Sequence, residues 1–442
     1  MRASRRTFLA GSAALPLTAA MPVTRPLPVT AAAAKLSLDL ESKVAVDLDR
    51  YVGFGNKRAG GAGDMACGAW LAAELGGLGF KVERQNISVP FFEPTQSELR
   101  CGDTRAPLWP QPIVVPTGPD GVTGTLVRID AAGHAEAPLN GAIALLDLPF
   151  ARWSTALAKP IREPITAAFA AGARAVVVIT NGPTRKIIAL NADGRAPMFE
   201  GPVALLAPEN AEPFLTAAMR HAPARMITRG KGGHRPAFNF VGRIDRGKPR
   251  WLVVSTPRSG WHVCAGERGP GIAAWLWLAR WATRAVRGVN LAFVCNTGHE
   301  YEYLGASDAL KTFTPKAPET RFWLHLGANV AARDWHEEGF GIDRWRPLPS
   351  VDTQRFLAIN PSLLPLAREL FAGHAGLEVP DSSAVLSAGE LTGVIAAGYA
   401  PAAGVFGVHR FHHVAEDDAR CLFAPSVAVT AAAFQRFVER LI

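Results

Sequence analysis

Residues 251–300 read WLVVSTPRSG WHVCAGERGP GIAAWLWLAR WATRAVRGVN LAFVCNTGHE. Trp251–Ser255 is typical of a buried strand, Gly271–Val286 has helical periodicity, and Val289–Thr297 is a second apolar strand ending in polar residues. The alternation continues with strands at Phe322–Gly327, Arg355–Ile359 and Ala402–Gly407 and with helices at Pro361–Phe371 and Pro425–Leu441. This pattern predicts an α/β fold, a three-layer, mostly parallel sheet with helices on both faces. In such sheets ligands bind beyond the carboxyl ends of the strands, so we expect the chemistry there.

Composition limits the class of protein. The chain has 442 residues, of which 48% are hydrophobic and 19% charged, as in a packed globular protein. Past the N-terminus no apolar run is long enough for a membrane span. The net charge falls from +9 to +5 when the four arginines of residues 1–34 are set aside, since that segment contains no acid. No basic block interleaved with aromatics occurs, which argues against nucleic-acid binding.

The N-terminus has the pattern of an export signal. Ser4-Arg5-Arg6-Thr7-Phe8-Leu9-Ala10 precedes a weakly apolar stretch of small residues. The paired arginines resemble a twin-arginine signal, a receptor-read address and not an anchor. We expect residues 1–34 to be this signal, cleaved after Ala20 or after one of the alanines at 31–34, and the protein to be periplasmic or secreted. Its partner in transit would be the twin-arginine export machinery; the alternative is a disordered basic tail.

Two parts of the chain follow the signal. Residues 35–119 and 236–442 are assigned to one catalytic-type domain. Residues 120–235 change character, because short β-like runs alternate there with a single Ala-rich helix at Ile165–Ala171. The runs Gly141-Ala-Ile-Ala-Leu-Leu and Ala170-Ala-Gly-Ala-Arg-Ala-Val-Val resemble the protease-associated domain, so an inserted small α/β domain is predicted. An unrelated α/β insert is the alternative.

The five cysteines do not form a recognisable site. Cys67, Cys101, Cys264, Cys295 and Cys421 are scattered and include no CxxC pair, so a cysteine zinc site is not expected. In an exported protein an odd count leaves at least one cysteine unpaired. The pairing of the others stays open.

Four polar clusters and one lone histidine fall where this architecture puts its site. They are residues 256–262 after one strand, residues 265–271 at the start of the long helix, residues 298–306 after the next strand, residues 407–418, and His325. Histidines and carboxylates that converge at strand ends suit a divalent ion such as zinc, with a histidine or glutamate to relay a proton. Each cluster also has a purely structural interpretation, as an acid in the first turn of a helix, a hydrogen-bonded core histidine or a solvated loop.

The order of these clusters is similar to that of the co-catalytic zinc exopeptidases, the family of bacterial leucyl aminopeptidases, glutamate carboxypeptidase and glutaminyl cyclase. Ala265-Gly-Glu267-Arg-Gly-Pro-Gly271 looks like the Gly-Ala-x-Asp-Asn-x-Ser-Gly turn of that family, with Glu267 in place of the bridging aspartate. Glu300 matches the second glutamate of the Glu-Glu-x-Gly-Leu motif, a metal ligand. His413 matches the final histidine ligand in Tyr-His-Thr-x-x-Asp. The resemblance covers most of the mature chain.

The departures from the family restrict the metal. The first ligand pair, His-x-Asp, falls on Thr256-Pro-Arg258, and the general-base glutamate falls on His299. The aspartate of the next strand falls on or beside His325. The resemblance therefore implies at most one divalent metal, zinc or another, held by Glu267, Glu300 and His413 with His325 as a further ligand, or no metal at all.

The leading hypothesis is an exported peptidase-like hydrolase that acts on a peptide or other amide. His299, Glu300 and Arg258 are the candidate catalytic residues, with His299 as the general base. Tyr303, Glu390, His409 and His412 are assigned to substrate binding. We expect Arg258 to pair with Glu267, Glu300 or Glu390 or to face the cleft. The alternatives are a metal-free relative that acts on a non-peptide substrate through His299 and Glu300, and a non-catalytic ligand-binding protein.

Overall fold

A computed structural model describes residues 31–339 and 341–442, with side chains from residue 38 onward. The predicted export signal lies outside the described residues, apart from its last four positions, which begin the first helix. The strands are β1 (Lys81–Cys101), β2 (Thr104–Pro110), β3 (Val122–Asp130), β4 (Ile143–Asp147), β5 (Ala175–Ile179), β6 (Val203–Leu206), β7 (Pro223–Ile244), β8 (Trp251–Pro257), β9 (Asn290–Asn296), β10 (Thr320–Leu326), β11 (Arg333–His336), β12 (Arg346–Val351), β13 (Arg355–Ile359), β14 (Asp381–Ser382) and β15 (Ala402–Gly407). The α-helices are α1 (Ala31–Gly53), α2 (Ala62–Gly77), α3 (Lys159–Ala170), α4 (Glu212–Met219), α5 (Ala265–Ala285), α6 (Leu304–Thr312), α7 (Leu364–Leu370), α8 (Gly389–Ala396) and α9 (Ala424–Leu441).

The strands of the large sheet are ordered β1-β2-β6-β5-β4-β3-β7-β9-β8-β10-β15-β13-β14. In one half, β9, β8, β10 and β15 are parallel to one another, with β7 and β13 antiparallel beside them. In the other half, β3, β4, β5 and β6 are parallel. The predicted α/β class with a mostly parallel sheet is confirmed. In the described part of the chain no helix is long and apolar enough to cross a membrane.

Helices cover both faces of the half that contains β8. Leu252 and Val254 pack on one face with residues of α1, α2, α5 and α9, whereas Val253 packs on the other face beside α8. Successive strand residues point to opposite faces, so a strand covered on both sides is apolar at every position. This explains why the run from Trp251 predicts a buried strand.

Residues 122–219 form a smaller unit with apolar cores on the two faces of β3–β6, one of which also contains residues of β1, β2 and β7. β2 also packs into this unit and pairs with β6, although it precedes the predicted boundary at residue 120. Backbone hydrogen bonds join this unit to the rest of the sheet. The first part of β7 pairs with β3, and the last part of β7 pairs with β9. Its independence as an inserted domain stays a prediction.

Helix α5 begins at Ala265, six positions before the predicted start at Gly271. The reason is a cap supplied from far along the chain. The Asp417 carboxylate accepts hydrogen bonds from the backbone N–H groups of Gly266 (2.7 Å) and Glu267 (3.0 Å). An acid at a helix N-terminus satisfies otherwise orphaned donors and complements the helix dipole.

Candidate functional site

The site lies beyond the carboxyl ends of β8, β9, β10 and β15. Ser259 follows β8, His299 follows β9, His325 lies near the end of β10, and His412 and His413 follow β15. Because these strands are parallel, their ends meet at one edge of the sheet. The first turn of α5 adds Glu267 to the same edge.

The carboxylate–histidine group consists of Glu267, His412 and His413, whose ligand atoms lie within 4.8 Å of one another. His413 Nδ1 lies 2.8 Å from the carbonyl oxygen of Ala189, and its Nε2 lies 3.3 Å from Glu267 Oε1. The rings of His412 and His413 are stacked with centroids 3.9 Å apart. Both Glu267 oxygens and His412 Nδ1 lack hydrogen-bond partners. Two histidine nitrogens and a carboxylate are a donor set that zinc accepts.

Arg268 brings a positive charge into this group. Its Nη2 lies 2.7 Å from Glu267 Oε1, its Nε donates to the Ser259 carbonyl, and the side chain has no exposed surface. Neither Nη1 nor Nη2 has an aligned hydrogen-bond acceptor. Burial alone would raise the pKa of Glu267, but Arg268, then His413 and His412, outweigh it and hold that pKa well below its usual range. Glu267 is therefore ionised and already paired with a cation.

A second polar pair joins His299 to Glu390 at the start of α8. His299 Nδ1 lies 3.3 Å from Glu390 Oε1, and Asn296 Nδ2 donates to Glu390 Oε2. Burial, followed by repulsion from Arg268, lowers the pKa of His299 well below its usual value. Burial raises the pKa of Glu390 to about 7, although Arg268 and Asn296 oppose it. At neutral pH His299 is therefore neutral and faces a half-ionised acid.

His325 lies beside this pair. Its Nδ1 is 2.9 Å from Ser255 Oγ and 3.9 Å from Glu390 Oε2, its ring stacks on Phe406, and its Nε2 has no partner. Burial and then Arg268 lower its pKa to about 3. The structure thus brings His325 to the His299–Glu390 pair and not into the carboxylate–histidine group.

A cleft of about 470 Å³ opens onto these side chains. Its polar wall contains Ser154, Asn191, His299, Tyr303, His325 and His412. Its other walls are formed by small and aromatic residues, among them Gly327, Phe356, Ala388, Gly389, Phe406 and Gly407, together with Gln354 and Arg355. Such a volume with few polar groups is typical of a small-molecule or peptide-end site.

Glu300, a candidate metal ligand and catalytic residue from the sequence, is held elsewhere. Its Oε1 accepts from the backbone N–H of Ala59 (2.6 Å) and its Oε2 accepts from Ser259 Oγ (2.7 Å). The same Ser259 oxygen accepts from the backbone N–H groups of Gly298 and His299. Among the described residues, Glu300 does not belong to the carboxylate–histidine group. Its contacts fix the loop that carries His299.

Arg258 does not pair with Glu267, Glu300 or Glu390. It turns back under the sheet edge, where its Nε lies 2.9 Å from Asp64 Oδ1 and its Nη2 donates to the carbonyl oxygen of Phe238. Both side chains of this ion pair are fully buried. We therefore correct the expected catalytic position of Arg258 to a structural one, because Asp64 of α2 attracts it away from the cleft.

The remaining assigned residues divide in the same way. Tyr303, His412 and Glu390 lie at or directly behind the cleft wall. His409 lies in the interior, with Nε2 3.3 Å from Asp417 Oδ2 and less than 2% exposure. Burial opposes its charge, yet Asp417 raises the pKa of His409. His409 therefore contacts the acid that caps α5 and does not reach the cleft.

Arg268 and Asp417 fall within the candidate clusters, but sequence reasoning assigned neither of them a role in the site. Arg268 occupies a helix face that is otherwise apolar and sits directly before Gly-Pro-Gly, which is a signal for a buried partnered charge. Asp417 follows the histidine pair by four residues, but its role depends on a contact with α5 that no local spacing reveals.

No protein-family profile and no curated protein sequence matches the chain. Solved structures do. A peptidase M28 precursor from Shewanella amazonensis aligns with a TM-score of 0.71 and 16% identity over 91% of this chain and 95% of that one.

Two further matches are a zinc aminopeptidase from Bacillus subtilis (TM-score 0.67, 17% identity, 94% of this chain and 96% of that one) and an aminopeptidase from Aneurinibacillus sp. strain AM-1 (0.64, 14%, 92% and 93%). The chain has the fold of these aminopeptidases. The resemblance expected from the sequence is confirmed at the level of fold. Identity this low carries over the scaffold and not the chemistry of its site.

Proposed function

We propose that the protein is a peptidase-like hydrolase that cleaves an amide bond bound in the cleft. The observation that supports this most directly is the His299–Glu390 pair at the wall of that cleft. The structural neighbours include the zinc aminopeptidase from Bacillus subtilis, which supports the same reaction class.

His299 is the general base of the proposed reaction. The ionised form of Glu390 accepts a hydrogen bond from Nδ1 and so favours the tautomer with its proton there, which leaves Nε2 to receive a proton from the attacking water. The water oxygen bonds to the carbonyl carbon, the C–N bond breaks, and His299 returns the proton to the leaving amine. Beyond the effect of burial, the fixed positive charge of Arg268 lowers the pKa of His299 and of His325. The same charge stabilises the negative charge that develops on the carbonyl oxygen.

A centre of two ions does not fit this chain. Thr256 and Arg258 stand where the family resemblance puts the first ligand pair, and both oxygens of Glu300 already accept hydrogen bonds. One ion fits the donor chemistry of the carboxylate–histidine group, whose Glu267 oxygens and His412 Nδ1 are unpartnered. It would supply a Lewis acid beside the cleft. Arg268 opposes it, since two unit charges 4 Å apart repel by about 4 kcal/mol at an effective dielectric of 20, and a divalent ion roughly doubles this.

The deciding experiment measures metal content and hydrolysis together. Protein is analysed for bound metal, then assayed on a panel of aminoacyl-4-nitroanilides before and after chelation, alongside His299→Ala and an exposed control, Glu319→Gln. We expect at most one metal per chain and a loss of about 10²–10⁴ in kcat for His299→Ala. Two tightly bound zinc ions per chain, or an unimpaired His299→Ala enzyme, would contradict the proposal.

A second candidate is a non-catalytic ligand-binding protein of this fold. It is favoured by the loss of the first ligand pair and by the pairing of Glu267 with Arg268. Saturable binding of an amide in the cleft with no turnover across the panel would select it over the hydrolase.

We also propose export through the twin-arginine route, on the basis of residues 4–10. Arg5→Lys combined with Arg6→Lys should leave the full-length precursor in the cytoplasmic fraction, whereas the unaltered chain should be found in the periplasm or medium. Equal export of both would contradict this.

A further inference from the structure

A second cavity, of about 510 Å³, lies outside the cleft and is independent of the proposed reaction. We call it the aromatic pocket. It is formed by the loop between α1 and α2, by β1, by the end of β2 and by Arg235 of β7, and its rings are those of Phe54, Phe91, Phe92, Trp109, Trp261 and Tyr301. Its size and apolar lining are those of a small-molecule site.

Trp261 forms the wall between the two cavities. Its indole Nε1 donates to Asn191 Oδ1 (3.0 Å), and Asn191 lines the cleft. Its ring makes edge contacts with Trp109 and Tyr301 within the aromatic pocket. A molecule in this pocket is therefore separated from the cleft by a buried side chain.

Two arginines give the aromatic pocket its polarity. Arg58 stacks on Trp109, with its Cζ 4.3 Å from the ring centroid. Its Nε donates a hydrogen bond to the carbonyl oxygen of Trp261. No acidic side chain among the described residues lies within ion-pair distance of Arg58. Arg235 donates its Nε to the Ala59 carbonyl and its Nη2 to the Arg58 carbonyl (3.4 Å), and its ionic neighbour among the described residues is Glu93, 3.8 Å away.

Glu93 is two-thirds exposed, so it screens Arg235 weakly. The aromatic pocket thus presents two guanidinium groups with unused N–H donors against a wall of rings. Guanidinium forks bind carboxylates in a planar geometry, and a ring beside them gains stacking area.

We propose that the aromatic pocket binds a small aromatic carboxylate, with its ring among the Phe and Trp side chains and its carboxylate on Arg58 and Arg235. A free acid is favoured over the C-terminus of a peptide because the pocket does not continue into the cleft where a peptide would be cleaved.

The test compares phenylacetate with its neutral isostere phenylacetamide, using calorimetry or the linewidth of the 4-fluoro analogues. Charge-assisted hydrogen bonds contribute about 1.5–3 kcal/mol, so the acid should bind at least about tenfold more tightly than the amide. Arg58→Gln and Arg235→Gln should each remove this preference. Arg321→Gln, at an exposed site on β10, is the matched control, and His299→Ala should bind phenylacetate as the unaltered chain does.

If the arginine variants unfold, Val114→Trp, which adds bulk at a residue that lines the aromatic pocket, should abolish binding in a folded protein. Equal affinity for acid and amide, or binding that survives Val114→Trp, would overturn the proposal. Tighter binding of glycyl-phenylalanine than of phenylacetate would overturn the choice of a free acid and assign the pocket to a peptide C-terminus.

Discussion

Arg268 determines, at the scale of single residues, which ions the site can accept. Its guanidinium cannot lose its charge at physiological pH, and it is held beside Glu267 with no exposed surface. A cation that belongs to the chain is therefore present where the carboxylate–histidine group would otherwise need one from solution.

Replacing this arginine should open the group to metal. Arg268→Met keeps an unbranched apolar stem and removes the repulsion, so we expect zinc affinity to rise by at least about a hundredfold. Competition against a chromophoric chelator measures it, and zinc should also restore stability lost by leaving Glu267 unpaired. Arg280→Met, on the same helix but paired with Asp47, is the control. Unchanged zinc affinity would show that Arg268 does not repel a metal ion from the carboxylate–histidine group.

Glu390 should make stability depend on pH. Its pKa is raised to about 7 in the folded chain from about 4.5 when unfolded, so its contribution is present below pH 4.5 and is lost as pH rises through 7. At 1.36 kcal/mol per unit this amounts to about 3 kcal/mol. Glu390→Gln should therefore gain stability over the unaltered chain between pH 5 and pH 8 in urea unfolding.

The neighbours of Glu390 are Arg268, Asn296, His299 and His325, and His299 works in the opposite direction. Because its pKa is depressed, it destabilises the fold as pH falls below 6.5. The difference between Glu390→Gln and the unaltered chain removes this shared contribution to first order. A flat difference across the range would refute the raised pKa.

Arg258 and Asp64 should act on stability and not on turnover. Arg258→Met leaves a buried carboxylate uncompensated, which costs about 3–5 kcal/mol, and adding Asp64→Asn should recover much of the loss. Denaturant unfolding of the single and double variants measures this. Retained stability with lost hydrolysis would return Arg258 to the catalytic residues.

Helix α5 shows, at the scale of an element, how a remote residue sets a helix start. Asp417 caps it, and His409 and Cys421 pack against the same turn so closely that a Cβ on Gly266 would lie 2.8 Å from His409 Cε1. Glycine is needed there for space, since the backbone is helical. The turn so built carries Glu267 and Arg268 side by side.

Gly266→Ala should therefore destabilise the protein by about 1–3 kcal/mol, as overpacking does. Gly76→Ala in α2 is the matched control, because its Cβ would meet nothing within 4 Å and alanine favours a helix by about 0.5–1 kcal/mol. Thermal unfolding of the two variants measures the contrast. Equal effects would mean that the turn around Asp417 can relax.

The elements differ in how far their sequence predicts them. β13 and β15 have the predicted bounds because each is a short, largely apolar run buried on both faces. The length of β1 and β7 could not be predicted, since Pro90, Pro94 and the Gly-rich residues 230–233 break any pattern. Their pairing is imposed by the partner strand, which spans the gap with one bulge at Pro94/Gln96.

The candidate site was predictable to the same extent. Glu267, His299 and His413 lie in the segments that follow β8, β9 and β15, and the parallel topology brings these segments to one edge of the sheet. The directions of Arg258 and Glu300 depend on Asp64, Ala59 and Ser259, which belong to separate segments. A single sequence contains no measure of such contacts.

At the scale of the whole molecule, the smaller unit takes part in the cleft. Ser154 and Asn191 line it, and the Ala189 backbone N–H donates to the His413 carbonyl. Arg152 ties the unit to the main sheet, donating to the buried Asp352 carboxylate and to the Val408 carbonyl. The cleft is therefore shared between the two halves.

Breaking that tie should loosen one wall of the cleft. Arg152→Met leaves Asp352 unpaired, and we expect faster amide hydrogen exchange in residues 150–156 and 408–413 with little change in α5. The control is Lys159→Met, which removes an exposed ion pair with Glu163 within α3. Exchange that rises uniformly over the chain would mean global destabilisation and no specific tie.

The β1–β7 ladder has a consequence for biosynthesis. Lys81 pairs with Arg243 and Arg100 pairs with Arg225, so β1 leaves the ribosome long before its partner exists. At roughly 5–20 residues per second the delay is on the order of ten seconds. During that time β1 presents Phe91 and Phe92 on an open strand edge, the kind of template on which nascent chains stick to one another. We therefore expect the rate of translation between β1 and β7 to affect the yield of folded protein. We also expect chaperones that bind extended apolar segments to bind β1 during this time.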